Sequence, residues 1–190
     1  SEATVLIKAA IAHAQFETLH PFLDGNGRMG RLLITLLLCN DSILKKPILY
    51  LSLYFKERKK DYYAQLDATR GEGNWEKWVD FFIDVILYAL DQTQYNLGCI
   101  TNLIEDDVGK ILEKLNKRAQ PTAMALCAFS LNKVNFTIQA AAKELNLSQP
   151  TIIYAIENLK NLSIISESTG KQRDRVFVYE KYLTLLKSGT

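Results

Sequence analysis

Twelve consecutive residues, His20-Pro21-Phe22-Leu23-Asp24-Gly25-Asn26-Gly27-Arg28-Met29-Gly30-Arg31, bring together one imidazole, one carboxylate, one side-chain amide, three glycines and two guanidinium groups. Glycines at 25 and 27 let backbone amides point outward without Cβ obstruction, and they precede a helix whose first amides lack intrahelical acceptors. Such an arrangement grips an anion, and phosphate is the natural guest. Arg28 and Arg31 stand three apart, on one side of the first helical turn, where two guanidinium groups can clamp phosphate oxygens. Asp24 adds a hard oxygen ligand beside them, suited to a magnesium ion shared with phosphates. His20 is the nearby side chain whose proton equilibrium lies near neutral pH, which makes it the candidate general base. With a nucleotide polyphosphate held by the loop, His20 can deprotonate an incoming hydroxyl while a phosphate group leaves.

Asp-Gly and Asn-Gly are also hairpin-turn dipeptides, but the flanks here have helical rather than alternating periodicity. An arginine pair on a helix is most often a solvated face, and a lone histidine is most often structural. That bland reading is assigned to His13. For the twelve-residue block the joint occurrence of types and spacing favours chemistry.

The flanking elements must hold this block in place. Val5, Ala9, Ala12, Phe16 and Leu19 trace a helical stripe that must end at His20-Pro21, because proline lacks an amide donor and biases its predecessor away from helical geometry. A second helix is expected from about Gly27 to Asn40; it is apolar around most of its circumference, which places it at the centre of a bundle. Lys46-Pro47 breaks the pattern. A helix from about Ser52 through Leu66 should end at Gly71-Glu72-Gly73-Asn74, and Trp75, Trp78, Val79, Phe82, Val85, Ile86 and Ala89 trace the next. A further helix is expected over Glu105 to Leu115, with a boundary at Pro121. Then come helices at 122–131, 137–145 and 149–161, and β-like runs at 164–166 and 176–179. Helix, turn, helix, hairpin is the order of a winged helix-turn-helix.

Composition sets the frame. The chain has 190 residues, 48% hydrophobic and 23% charged, and its nine glycines and four prolines disfavour collagenous, low-complexity or turn-dense all-β folds. A net charge of +2 is too small to imply nucleic acid or an anionic membrane by itself. Cys39, Cys99 and Cys127 lie in apolar runs without CxxC spacing, so buried reduced thiols are expected rather than disulfides or zinc. No long uncharged apolar run and no basic-then-apolar leader is present, so neither a membrane partner nor an export signal is expected, and the expected compartment is the cytoplasm.

The twelve-residue block also resembles the Fic motif, His-Pro-Phe-x-Asp-Gly-Asn-Gly-Arg-x-Gly-Arg, without a departure. The likeness extends through Ala12-His13-Ala14-Gln15-Phe16-Glu17, Tyr50-Leu51-Ser52-Leu53-Tyr54-Phe55 and Asn74-Trp75. The resemblance implies a mainly α fold: a Fic helical core at 1–105, a connecting helix or linker at 106–120 and the winged helix-turn-helix at 121–190. It implies transfer of AMP from ATP, with Mg2+, to a Tyr, Thr or Ser hydroxyl of a target protein. By the same resemblance His20 is the base and Asp24 the metal ligand. Gly25, Asn26 and Gly27 form the anion hole, Arg28, Gly30 and Arg31 complete the phosphate site, and Phe22 packs in the core. Gly27 stands where phosphate-transferring relatives of the Doc toxin carry lysine, so the sequence looks like the AMP-transferring branch. Since the chain opens at Ser1, almost directly in the first helix, the family's earlier helices and β-hairpin flap are expected to be missing. Thr101 with Glu105, and Ser163 with Glu167, share the spacing of the family's inhibitory helix, but Asp106 and Ser168 leave that pattern incomplete.

In the C-terminal segment Ser148 is expected to cap a recognition helix, with Pro150 in its first turn. Lys171, Arg173 and Arg175 are candidate DNA contacts. Seven basic against five acidic residues over 136–190 leave the electrostatic footprint weak, so DNA binding and protein contacts stand level. The rival to the enzyme reading is a DNA-binding regulator whose first domain is inactive, sensory or removes AMP. Pairing into a homodimer is left open.

Overall fold

The computed structural model describes residues 2–47, 49, 51–171 and 174–188. Arg173 and Tyr50 therefore lie outside the described residues. The chain is mainly α and divides into two compact units, one reaching to Tyr95 and the other spanning Asn96–Ser188. Among the described residues no helix is long and apolar enough to cross a membrane.

The first unit contains α1 (Glu2–Leu19), α2 (Asn26–Asn40), α3 (Leu51–Glu57), α4 (Lys59–Glu72) and the opening part of α5 (Trp75–Lys114). Its core joins Ala9, Ala10 and Ala14 to Ile34, Leu38, Leu66, Trp78, Phe82 and Val85. The alanines are small enough for the neighbouring helices to approach α1 closely. Trp78 Nε1 donates to the Ala10 carbonyl at 2.8 Å inside this contact, satisfying the polar edge of a fully buried ring.

Three expectations change here. The buried face of α1 carries Ala9, Ala10, His13, Ala14 and Glu17, whereas Leu19 is 78% exposed. Close packing selects small residues on this helix, so the apolar stripe and the buried face do not coincide. Helix α2 is not enclosed on all sides: Asn26, Gly30, Ile34 and Leu38 are buried, while Met29, Leu32 and Leu36 are exposed. The helix expected over 52–66 is two, interrupted at Arg58, where φ is −102° and ψ is 32°. No proline or glycine marks that break. Across it the Phe55 and Tyr62 rings meet edge to face at 4.7 Å. The end of α4 follows expectation, with Gly73 in the left-handed region at φ 69° donating back to the Ala68 carbonyl.

In the second unit α5 continues to Lys114 without a break, so the helix expected over 105–115 is its last part. No proline interrupts the run, and Thr101 Oγ1 donates to the Leu97 carbonyl at 2.9 Å within it. Then come α6 (Gln120–Asn132), β1 (Asn135–Thr137), α7 (Ile138–Leu145), α8 (Gln149–Asn161), β2 (Ser166–Glu167), β3 (Val176–Val178) and α9 (Glu180–Ser188). The sheet is antiparallel in the order β1-β3-β2, with Phe136 opposite Phe177 and Glu167 also opposite Phe177. Strand β1 and helix α9 had no separate signal in the sequence. Ser148 caps α8 as expected, by accepting from Thr151 N at 3.3 Å, and Ile152, Ile156 and Leu159 face the core. Of the thiols, Cys127 is buried but Cys39 and Cys99 are partly exposed, which corrects the expectation for those two. Burial pushes the Cys127 thiol up to about 11, with Asp107 adding to the rise, so it stays protonated.

Candidate active site

Helix α1 ends at Leu19, and the chain turns at His20, a residue in the left-handed region at φ 46°. Its amide still donates to the Phe16 carbonyl at 3.0 Å, closing the last turn. Residues 21–25 then cross to α2. The crossing is stapled from within by Asn26, which is 3% exposed. Phe22 N donates to Asn26 Oδ1 at 2.9 Å, and Asn26 Nδ2 donates to the Phe22 carbonyl at 2.6 Å. The Asn26 side chain is thus committed to holding the turn. Its share in an anion site is its backbone amide.

Gly25 is the N-cap of α2, left-handed at φ 84°, and no side chain caps the helix. The first helical bond runs from Met29 N to the Gly25 carbonyl at 3.0 Å, so the amides of Asn26, Gly27 and Arg28 precede the ladder. The first turn carries no acidic residue. Both arginines fold back over it: a Cβ at Gly25 would lie 3.4 Å from Arg28 Nη2, and one at Gly27 would lie 3.3 Å from Arg31 Nη1. The glycines leave the room in which the guanidinium groups approach the bare helix end. Three free amides, a positive helix terminus and two guanidinium forks are chemically suited to a multiply charged anion. Alongside lies an open cleft of about 220 Å³, lined by Arg28, Arg31, Leu32 and Thr35 of α2 and by Leu49, Leu51 and Ser52.

Asp24 is at the exposed rim. Its Oδ1 accepts from Gly25 N at 2.7 Å, and its Oδ2 pairs with Arg28 Nη2 at 3.3 Å. Among the described residues no cluster of three or more His, Cys, Asp or Glu could hold a metal by itself. Asp24 therefore fits only a cation that takes most of its oxygens from phosphate and water, as magnesium does. The His20 side chain is 62% exposed, within reach of a substrate arriving from solvent, with Nδ1 3.9 Å from Glu17 Oε2.

Two expected residues lie apart from this cluster. Gly30 is buried in the α1–α2 contact, where a Cβ would stand 2.8 Å from Glu17 Oε1 and 2.9 Å from His13 Cε1. Phe22, expected in the core, is 47% exposed and packs against Phe16 with ring centroids 6.2 Å apart. The turn that frees the backbone around Asp24 lifts this ring partly out of the packing. His13 is structural, as expected: 1% exposed, stacked near Phe55 and Trp78, with Nε2 3.1 Å from Tyr62 Oη. Burial pushes it down to about 4, partly offset by the Gly30 backbone, although Nδ1 there lies outside hydrogen-bond geometry.

Sequence reasoning missed Arg70. From α4 its Nη2 donates to the Glu17 carbonyl at 2.9 Å and its Nε to Thr18 Oγ1 at 3.0 Å, fixing the helix end just before His20. Nothing in the spacing linked two residues more than fifty positions apart. In the second unit Lys171 is exposed, whereas Arg175 is held between Glu167 Oε2, at 3.8 Å, and the Phe177 ring, at 5.6 Å.

Residues 1–38 match the model of the Fic/DOC family. A probable protein adenylyltransferase of Aquifex aeolicus is 37% identical over 67 residues, which are 35% of this chain and 19% of that protein. A crystal structure of a Fic family protein from Desulfovibrio desulfuricans G20 is 21% identical, covering 92% of this chain and 49% of its own, with a TM-score of 0.45. This chain spans about a fifth of the first relative and about half of the second. The helix pair that carries the turn lies in the segment that matches the Fic/DOC family.

Proposed function

We propose that the chain transfers AMP from ATP to a hydroxyl side chain, Tyr, Thr or Ser, of a target protein. The observation that carries this reading is the uncapped start of α2 under two folded-back guanidinium groups, with an exposed imidazole at the other end of the same short turn. The amides of Asn26, Gly27 and Arg28, with Arg28 and Arg31, bind the phosphate tail. His20 takes the proton of the target hydroxyl, whose oxygen attacks the α-phosphorus. The bond to the bridging oxygen breaks, and pyrophosphate leaves with its electron pair. Magnesium, held by Asp24 and the phosphates, would supply charge neutralisation on the leaving group. The name of the Aquifex aeolicus relative supports this reading.

The test is transfer of label from α-labelled ATP to protein in a cell lysate, with the whole chain. His20→Ala is expected to lower transfer by about 10²- to 10⁴-fold while ATP binding by calorimetry persists. Undiminished labelling in His20→Ala would overturn the assignment of the base.

The C-terminal segment, read as a winged helix over residues 121–190, carries the alternative of DNA recognition. Its support is the exposed start of α8 at Ser148, Gln149 and Pro150, with Tyr154 52% exposed on the same helix. Salt-sensitive duplex binding, weakened by Lys171→Ala, is the result expected of that reading.

A further inference from the structure

The reading above leaves Glu17 without a task, although its placement is costly. The residue is 7% exposed, and its Oε1 is buried with no hydrogen-bond partner. It lies in the last turn of α1, where the negative end of the helix dipole disfavours a carboxylate, and that turn carries no basic residue. A sequence selected for stability alone would not put a buried glutamate there. Yet the surroundings are built to receive it. Gly30 omits the Cβ that would stand 2.8 Å from Oε1, and Arg70 fixes the Glu17 carbonyl and Thr18 from another helix. The second oxygen, Oε2, is 3.9 Å from His20 Nδ1, one turn along the chain. This is ion-pair reach, longer than a hydrogen bond, the looseness common in a site without substrate.

We propose that Glu17 is the positioning residue of His20: its carboxylate accepts a hydrogen bond from Nδ1–H, fixing the imidazole in the tautomer whose Nε2 is the free base. A positioned base needs one ring nitrogen proton-bearing and anchored, leaving the other with its lone pair toward the hydroxyl. When Nε2 takes the hydroxyl proton, the adjacent carboxylate offsets the imidazolium charge. The other ionisable groups around Glu17 are His13 on its own helix, Arg31 of α2, and Tyr62 and Arg70 of α4. This inference rests on His20 as the base.

The chain has two histidines, so a ring-nitrogen NMR spectrum of the ¹⁵N-histidine-labelled protein contains two imidazoles, and His20→Ala assigns them. His13, held near 4 by burial, does not titrate in the neutral range. In the wild type His20 is expected as the Nδ1-protonated tautomer. In Glu17→Gln, which keeps the volume, that preference is lost. Glu17→Asp keeps the charge and restores part of that preference. Identical tautomer populations in wild type and Glu17→Gln would overturn the proposal. If Glu17→Gln fails to fold, the wild-type spectrum alone decides, and a dominant Nε2-protonated tautomer overturns it. In the transfer assay Glu17→Gln should lower kcat without changing ATP affinity. Absence of transfer in the wild type would count against the AMP-transfer reading, while the spectra still judge Glu17.

Discussion

Among the described residues each unit buries one carboxylate, and the two are treated differently. Asp107, in the second unit, is fully buried, and both of its oxygens are satisfied: Lys110 Nζ reaches Oδ1, and Tyr179 Oη donates to Oδ2 at 2.5 Å. Burial and this bond hold the Tyr179 phenol well above its usual range. Glu17, in the first unit, has one oxygen unpartnered and the other loosely facing an exposed imidazole. A buried charge with all its partners is a structural tie. One left half-satisfied beside a bare helix end and two arginines marks where the molecule keeps an interaction in reserve. Asn158 Nδ2 and Ser166 Oγ in the second unit are also buried without partners, but they are neutral groups whose cost is smaller than that of a charge.

The comparison can be tested by disturbing each side. The largest effect expected is that of acid on the first unit. His13 has its folded value lowered to about 4 from 6.5, so between those pH values the unfolded chain binds more protons than the folded one. Stability is therefore level above about pH 6.5 and falls as pH drops toward 4, by up to about 3 kcal/mol. Urea melts at pH 7 and pH 4.5 measure this loss. In His13→Gln that portion of the slope should vanish, and an unchanged slope would show that His13 does not carry it.

Next in size is Tyr179→Phe, which leaves Asp107 Oδ2 buried without its donor. A loss of about 2 kcal/mol is expected, appearing in the melting of the second unit and leaving the His20 resonances unshifted. A loss indistinguishable from zero would make Asp107 no more structural than Glu17. The smallest effect is expected for Gly30→Ala. Its added methyl meets Glu17 Oε1 at 2.8 Å and must push that carboxylate. The overpacking outweighs the gain in helix propensity by about 1 kcal/mol. Because the methyl presses on the group facing His20, the imidazole spectrum should shift although the site of substitution is buried. Crystallography showing Glu17 unmoved would remove that link.

Much of this architecture was legible in the residues. Pro21 ends α1, Gly73 ends α4, and Ser148 with Pro150 starts α8, because each acts through local backbone chemistry. The candidate anion site was legible for the same reason: free amides, glycines and arginines three apart are properties of one helical turn. Two faces and one helix boundary were misread where packing decides. On α1 the buried positions are the alanines, His13 and Glu17, since close helix approach rewards small side chains over apolar ones. On α2 the leucine-rich circumference promised enclosure, yet Leu32 and Leu36 remain exposed because neighbours cover only one side. The break at Arg58 carries no local signal at all.

The sequence by itself determined that a glycine-rich turn with two arginines after it joins two helices and that a histidine stands at its entrance, because those features follow from residue types within a dozen positions. Only the tertiary structure decided that Glu17 lies buried beside that histidine, that Arg70 reaches across more than fifty residues to fix it, and that Gly30 serves helix contact. Side-chain burial and contacts between distant positions depend on which helices pack together, and periodicity does not encode the identity of the neighbour.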